Sequence, residues 1–239
     1  MSAPPDSRLR VRPMLAADCA AVARIRTAGW RFAYADLVPR PYLDALSEEA
    51  TARRLRDQLA TALPSSSPYS SSNSPWRPLA NPELQHPADS LPKMEEGRTG
   101  PHHLVAEQAG EIVGWACLGP YRHPDTPAPA TADGASGPAG GQVVPRGLHG
   151  GPGDGEVYAL YADPQRLGTG IGRALMDEVV ALTSAAGHPA LRLWVLASNA
   201  LGRRFYEKAG FAQDGAEEPW HIGGATLTEL RYTRRLSRP

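Results

Sequence analysis

The stretch Val157-Tyr158-Ala159-Leu160-Tyr161-Ala162-Asp163-Pro164-Gln165-Arg166-Leu167-Gly168-Thr169-Gly170-Ile171-Gly172-Arg173 decides the fold. Its first six residues are an apolar run that reads as a strand, and three glycines fall within five residues further on. Behind them Ile171, Leu175, Val179 and Leu182 recur at helical spacing until Gly187 and Pro189 stop the pattern. Glycines let the backbone turn tightly with no Cβ in the way. Successive N–H groups can then converge on an anion while the helix behind adds the positive end of its dipole. The expected ligand carries a phosphate or a pyrophosphate.

Spacing discriminates among phosphate-binding patterns. A P-loop needs four residues between its glycines and then Lys followed by Ser or Thr, which this stretch lacks. A dinucleotide fingerprint asks for a third Gly or Ala and for an acidic residue about 20 positions on. Arg173 fills the third place, and the next apolar strand, Ala190 to Ala197, ends without Asp or Glu. The pattern that matches is Gln/Arg-x-x-Gly-x-Gly/Ala, read as Gln165, Gly168 and Gly170. With its upstream strand and downstream helix it resembles the GCN5-related N-acetyltransferase superfamily, whose members bind the pyrophosphate of acetyl-coenzyme A there.

A second motif follows in the family's order. Leu191 to Leu196 reads as a short strand, Asn199 as the N-cap of a helix over Ala200 to Ala209, and Gly210 as its stop before Phe211. The segment from Asn199 through Phe205 and Tyr206 to Gly210 and Phe211 resembles the superfamily's Asn-x-x-Ala-x-x-x-Tyr-x-x-x-Gly-Phe, with Gly202 in place of Ala. The resemblance implies an α/β (α+β) fold. Its central sheet is mixed, mostly antiparallel and twisted, with six to seven strands flanked by about four helices. It also implies acetyl-coenzyme A as cosubstrate.

Composition agrees with one domain over residues 1–239 and narrows the partners. The 25 basic and 25 acidic residues balance, so no general attraction to nucleic acid or to an anionic membrane is expected. Cys19 and Cys117 lie in apolar surroundings without Cys-x-x-Cys spacing, which argues against a disulfide framework or a zinc site. No apolar run approaches the roughly 18 residues of a membrane span, and the N-terminus lacks a signal-like apolar region. A cytoplasmic location is expected, with a homodimer as the common default among oligomers.

Along the chain, Leu9 to Arg12 alternates as a first strand, Asp18 is placed to cap a helix, and the helical pattern runs on through Trp30 and Tyr34. It breaks near Pro39 and Pro41 and resumes after Ser47, a good N-cap. Residues 64–101, with seven Ser between Ser65 and Ser74, carry no apolar period and read as a flexible insertion. His102 to Glu107 and Glu111 to Leu118 flank Gln108-Ala109-Gly110 as a hairpin. Adjacent His102 and His103 point to opposite strand faces and cannot chelate one ion, so no metal is expected. Residues 119–155 hold 10 Gly and 7 Pro, again without period, and read as a second flexible insertion able to act as a lid. Trp220-His221 and Thr226 to Thr233 close the chain as a hairpin around Gly223-Gly224.

Amide formation from a thioester needs a bound acyl carrier, a neutral amine, a stabilised oxyanion and a proton for the leaving thiolate. The loop amides from Leu167 through Gly168, Thr169, Gly170, Ile171 and Gly172 to Arg173 suit the pyrophosphate. The edge of Leu160, Tyr161 and Ala162 suits the amide-rich pantetheine arm. The resemblance adds a bulge that splays this strand from the next. It gives Tyr206 the thiolate-protonating role and Asn199 a coenzyme hydrogen bond, against the simpler readings of a packed aromatic and a helix cap. It also gives the helix pair between the first two strands one wall of the acceptor site, so Trp30, Tyr34 and Tyr42 either line that wall or only pack the helices. The resemblance also makes Glu156 the candidate base, since it begins the cradle strand where some members of the superfamily carry a catalytic Glu, on the face that alternation assigns to Tyr158 and Leu160, against a merely solvated carboxylate. The leading reading is an acetyl-coenzyme A-dependent N-acetyltransferase acting on a primary amine of a small molecule or protein. The alternatives are a non-catalytic coenzyme A-binding module and an acyltransferase using another acyl donor.

Overall fold

A strand buried at every position from Ile112 to Gly119 must be covered on both faces, and the architecture follows from supplying that cover. The computed structural model describes residues 8–61, 102–122 and 153–236. In chain order the elements are β1 (Arg10–Pro13), α1 (Cys19–Ala33), α2 (Arg40–Asp44), α3 (Glu48–Thr61), β2 (His102–Gln108) and β3 (Glu111–Pro120). Then come β4 (Gly155–Ala162), α4 (Ile171–Ala185), β5 (Ala190–Leu196), α5 (Ala200–Lys208), β6 (Ala212–Ile222) and β7 (Ala225–Arg235). The seven strands form one sheet in the order β1-β2-β3-β4-β5-β7-β6. Every neighbouring pair is antiparallel except β4 and β5. The sheet is the expected mixed, mostly antiparallel one.

The two faces have separate cores. Leu104, Ala116 and Leu118 pack with Ile171, Leu175, Met176 and Val179 of α4. Val105, Trp115 and Cys117 pack with Cys19, Val22 and Ile25 of α1 and with Ala52 and Leu55 of α3. Burying each such aliphatic side chain contributes about 1.5–3 kcal/mol, so both layers are needed to hold the central strands. The approach of α4 to the sheet depends on Gly114. A Cβ there would stand 2.6 Å from Ile171 Cγ2 and 2.9 Å from Leu175 Cδ1. Gly114→Val is expected to cost about 1–3 kcal/mol by overpacking, read as a lower midpoint of urea unfolding. An unchanged midpoint would show that α4 withdraws freely.

Several local readings hold, and several shift. The β2–β3 turn is the two-residue Ala109-Gly110, both at positive φ (52° and 80°), as a tight hairpin demands. Ser47 Oγ accepts the Ala50 N–H at 3.1 Å and caps α3. Asp18, by contrast, does not cap α1. Its carboxylate accepts the Leu15 N–H at 2.7 Å and the Arg12 guanidinium at 2.7 and 3.0 Å, because it closes a single 3-10 turn over Ala16–Asp18. Pro41 starts a helix rather than ending one: α1 already stops at Ala33, and Pro41 lies in the first turn of α2, where its missing N–H costs nothing. The helices therefore number five rather than about four among the described residues.

Residues 64–101 lie outside the described residues. So do residues 123–152 of the second insertion, but its ends are strand: Gly119 pairs with Glu156 and Pro120 with Gly155. The closing hairpin is longer than its apolar residues suggest, because β6 begins at Ala212. Among the described residues no helix is long and apolar enough to cross a membrane.

Candidate active site

The sheet opens at its one parallel pair. β4 and β5 share only two register pairs, Gly155 with Leu191 and Glu156 with Arg192. The cause lies just beyond. Cys117 faces Ala159 and Leu118 faces Val157, so Tyr158 is an extra residue in β4. Such a bulge bends its strand and raises the local twist. Past it, β4 leaves β5, and a cavity of about 450 Å³ occupies the fork, lined on both sides by Val157 to Ala162 and Trp194 to Leu196. The bulge also overturns the simple alternation: Leu160 packs with the α4 core, whereas Tyr158 packs with the α1 and α3 core.

The glycine cradle forms one end of the cavity. Asp163 Oδ1 accepts the Gln165 N–H at 3.0 Å and starts a 3-10 turn over Pro164–Arg166. Gly168 and Gly170 then take φ of +80° and +91°, and Gly170 is the N-cap of α4. A Cβ on either glycine would meet no protein atom within 4 Å. The glycines are demanded by torsion angle and leave their outer side open to a ligand. Leu167, Gly168, Gly170, Ile171, Gly172 and Arg173 line the cavity, but Gln165 and Thr169 do not. Gln165 lies in the 3-10 turn and is exposed, and the Thr169 hydroxyl donates to the Arg166 carbonyl at 2.7 Å. Arg166, passed over in the sequence, does line it. Gln108 and Glu111 of the β2–β3 hairpin hold its guanidinium.

The α5 wall brings Asn199, Phe205 and Tyr206 to the same cavity. Asn199 Oδ1 accepts the Gly202 N–H at 2.9 Å and caps the helix. Gly202 is more than a small-for-small exchange, since a Cβ there would sit 2.8 Å from Asn199 Nδ2. The Tyr206 ring lies edge-on between Phe205, 5.2 Å away, and Phe211, 6.0 Å away. Burial pushes its hydroxyl pKa well above the ordinary tyrosine value, with the Tyr161 phenol adding to the shift. The group stays protonated at neutral pH.

Of the three aromatics read as acceptor-site candidates, Tyr34 lines the cavity and the other two do not. Trp30 is buried in a cluster with Val38, Leu43 and Ile222. Its ring lies 5.0 Å from Tyr34, 6.0 Å from Tyr42 and 5.8 Å from Trp220. These two rings join the helical hairpin to the β6–β7 end of the sheet.

Glu156 is neither solvated nor in the cavity wall. At 1% exposure it accepts Arg122 Nη2–H at 2.6 Å, Nε–H at 3.2 Å and the Arg122 backbone N–H at 3.0 Å. The guanidinium lies 4.0 Å above the Tyr158 ring, and the Tyr158 hydroxyl donates to the Pro120 carbonyl at 2.5 Å. The assembly ties the strand before the bulge to the end of β3. Another cavity residue that escaped the sequence reading is Glu229 of β7, 7% exposed. Its signal was phase, since alternation puts it in line with Leu227, on the inward side of a strand.

A strand, a glycine turn at a helix N-terminus and a forked parallel pair thus meet at one cavity of an α/β fold. Residues 67–211, more than half of the chain, match the acetyltransferase (GNAT) family, and the chain belongs to that family. It is 32% identical over 138 residues to a mycothiol acetyltransferase of Acidothermus cellulolyticus, covering 57% of this chain and 38% of that protein. A mycothiol acetyltransferase of Thermobispora bispora is 33% identical over 110 residues, covering 46% of this chain and 30% of that protein. The chain thus spans about two fifths or less of the length of these curated relatives. Among solved structures, the PaiA N-acetyltransferase of Thermoplasma acidophilum in complex with coenzyme A superposes with a TM-score of 0.58 at 14% identity, over 95% of this chain and 99% of that one. The yncA protein of Salmonella typhimurium with its cofactor acetyl-CoA gives 0.53 at 16% identity, over 97% and 95%.

Proposed function

We propose that this protein transfers the acetyl group of acetyl-coenzyme A to a primary amine by direct attack. The observation that carries the reading is the meeting, in one cavity, of the glycine cradle, the freed edge of β4 and a protonated Tyr206. The cradle amides and the α4 dipole suit the diphosphate. The backbone of Leu160 to Ala162, left by β5, suits the pantetheine amides as an added strand, and an N–H at this edge suits the thioester oxygen. Tyr206 then gives its proton to the departing thiolate, and Asn199 holds the α5 end of the site. Acetyl transfer is also what the relatives' names state, and both cofactor-bound neighbours share this fold.

Titration calorimetry of the full chain tests the reading. Acetyl-coenzyme A is expected to bind, and S-acetylpantetheine, which lacks the diphosphate, to bind at least about 100-fold more weakly, since several charge-assisted contacts are lost. Gly170→Val is expected to weaken acetyl-coenzyme A about 10-fold or more, because its φ of +91° strains a branched residue at the cradle. Equal affinity for the two thioesters would remove the diphosphate site and the reading with it.

A further inference from the structure

Acetyl transfer to an amine also requires a place for the amine, which is an ammonium in neutral water. Among the described residues lining the cavity, Glu229 is the only carboxylate, and the two cations, Arg166 and Arg173, stand at the cradle end. Glu229 lies on β7 opposite Leu196, the last residue of β5, and opposite Glu218 on β6. Little water remains around a carboxylate exposed to 7%, so its attraction for a cation entering the cavity is weakly screened.

Its neighbours tie it to the chemistry. Tyr34, at the end of α1, and Tyr161 of β4 have raised phenol pKa values, caused first by burial, with the Glu229 charge among the further causes for both. Tyr161 in turn acts on Tyr206. Glu229 and the proposed acid are therefore joined through two phenols in one chamber. Its remaining walls include Trp194, Leu196 and Phe205, surfaces suited to an apolar or aromatic body beside a cation.

We propose that Glu229 receives the ammonium of the acceptor and takes its proton, and that the acceptor is a primary amine carrying an apolar or aromatic group. The inference rests on the acetyltransferase reading. The balance is complete without a further reactant. One proton passes from R–NH₃⁺ to the Glu229 carboxylate, and the free amine forms the C–N bond at the thioester carbon. The C–S bond breaks, the thiolate takes the Tyr206 proton, and the nitrogen returns its surplus proton to the tyrosinate. Glu229 releases its own to solvent. The products are the N-acetyl amine, coenzyme A and one proton.

The test uses the full chain, phenethylamine as probe and 2-phenylethanol as its uncharged counterpart. Calorimetry with acetyl-coenzyme A comes first. No heat there overturns the acetyltransferase reading before any amine is added. With binding established, phenethylamine is expected to bind the protein–coenzyme A complex at least about 10-fold more tightly than 2-phenylethanol. Glu229→Gln is expected to lower kcat/KM for thiol release by about 10²–10⁴-fold. The acetyl-coenzyme A Kd and the unfolding midpoint should stay near wild type, and Glu229→Asp should recover part of the rate.

Without the carboxylate the variant must wait for amine deprotonated in solution. Its rate should climb about tenfold per pH unit below the amine pKa, more steeply than wild type. The titratable or charged groups around Glu229 include Tyr34 and Tyr161, which line the same cavity, and Glu218, its register partner on β6, with Arg26 of α1 acting on Tyr161. Wild-type kcat/KM and pH slope in Glu229→Gln overturn the proposal. Equal binding of alcohol and amine, or no binding of the amine, does the same.

Discussion

Replacing Tyr206 by phenylalanine is expected to lower kcat by about 10²–10⁴-fold while the Kd of acetyl-coenzyme A moves by less than about threefold. The ring does the packing between Phe205 and Phe211, and phenylalanine keeps the ring. Only the proton is lost, and it is needed only as the C–S bond breaks. The sign of the pH effect follows from the raised pKa. A phenol whose pKa lies above its usual value is protonated below that value, so the acid is competent through neutral and mildly alkaline pH. Activity owed to it disappears only as pH passes the raised value. An alkaline limb near pH 8 that persisted in Tyr206→Phe would assign the proton donor differently, as would an unchanged kcat. A large rise in Kd with kcat preserved would make Tyr206 a packing residue for the coenzyme alone.

Glu156→Gln should act on stability. Removing one partner of a buried ion pair leaves the other charge uncompensated, at about 3–5 kcal/mol for a fully buried pair. Here the Arg122 side chain is 27% exposed, so part of its charge returns to water and about 2–3 kcal/mol is expected. For a chain of this size that lowers the thermal midpoint by roughly 5–10 °C. The double substitution Arg122→Leu with Glu156→Leu should recover much of the loss, because it leaves no charge behind. If Glu156→Gln instead left the midpoint unchanged and erased the acidic limb of kcat/KM, Glu156 would be the base and Glu229 would not. The two carboxylates make opposite predictions: Glu156 moves the midpoint, and Glu229 moves the rate.

Features set within a turn or two of chain were legible from residue types. Gly168 and Gly170 need positive φ whatever surrounds them, Asn199 caps the helix three residues ahead, and Ala109-Gly110 closes its hairpin alone. The order of strand, glycine turn and helix and the Asn-to-Tyr spacing were enough to place the family. Hydrogen bonds and torsions of this kind act between near neighbours, so their rules survive without the rest of the molecule.

Side-chain destinations were another matter. Glu156 met its cation 34 residues upstream, at Arg122, beyond the reach of any local pattern. Trp30 and Tyr42 look alike in sequence to Tyr34, but Trp30 is buried with Val38, Leu43 and Ile222, and of the three only Tyr34 reaches the cavity wall. One extra residue in β4 at Tyr158 reversed which side Leu160 faces, and the same bulge opened the fork that Glu229 lines from β7. Alternation is a rule for an unbroken strand. Where a strand breaks, and what packs against it, depends on long-range contacts, and these decided which carboxylate stands in the cavity.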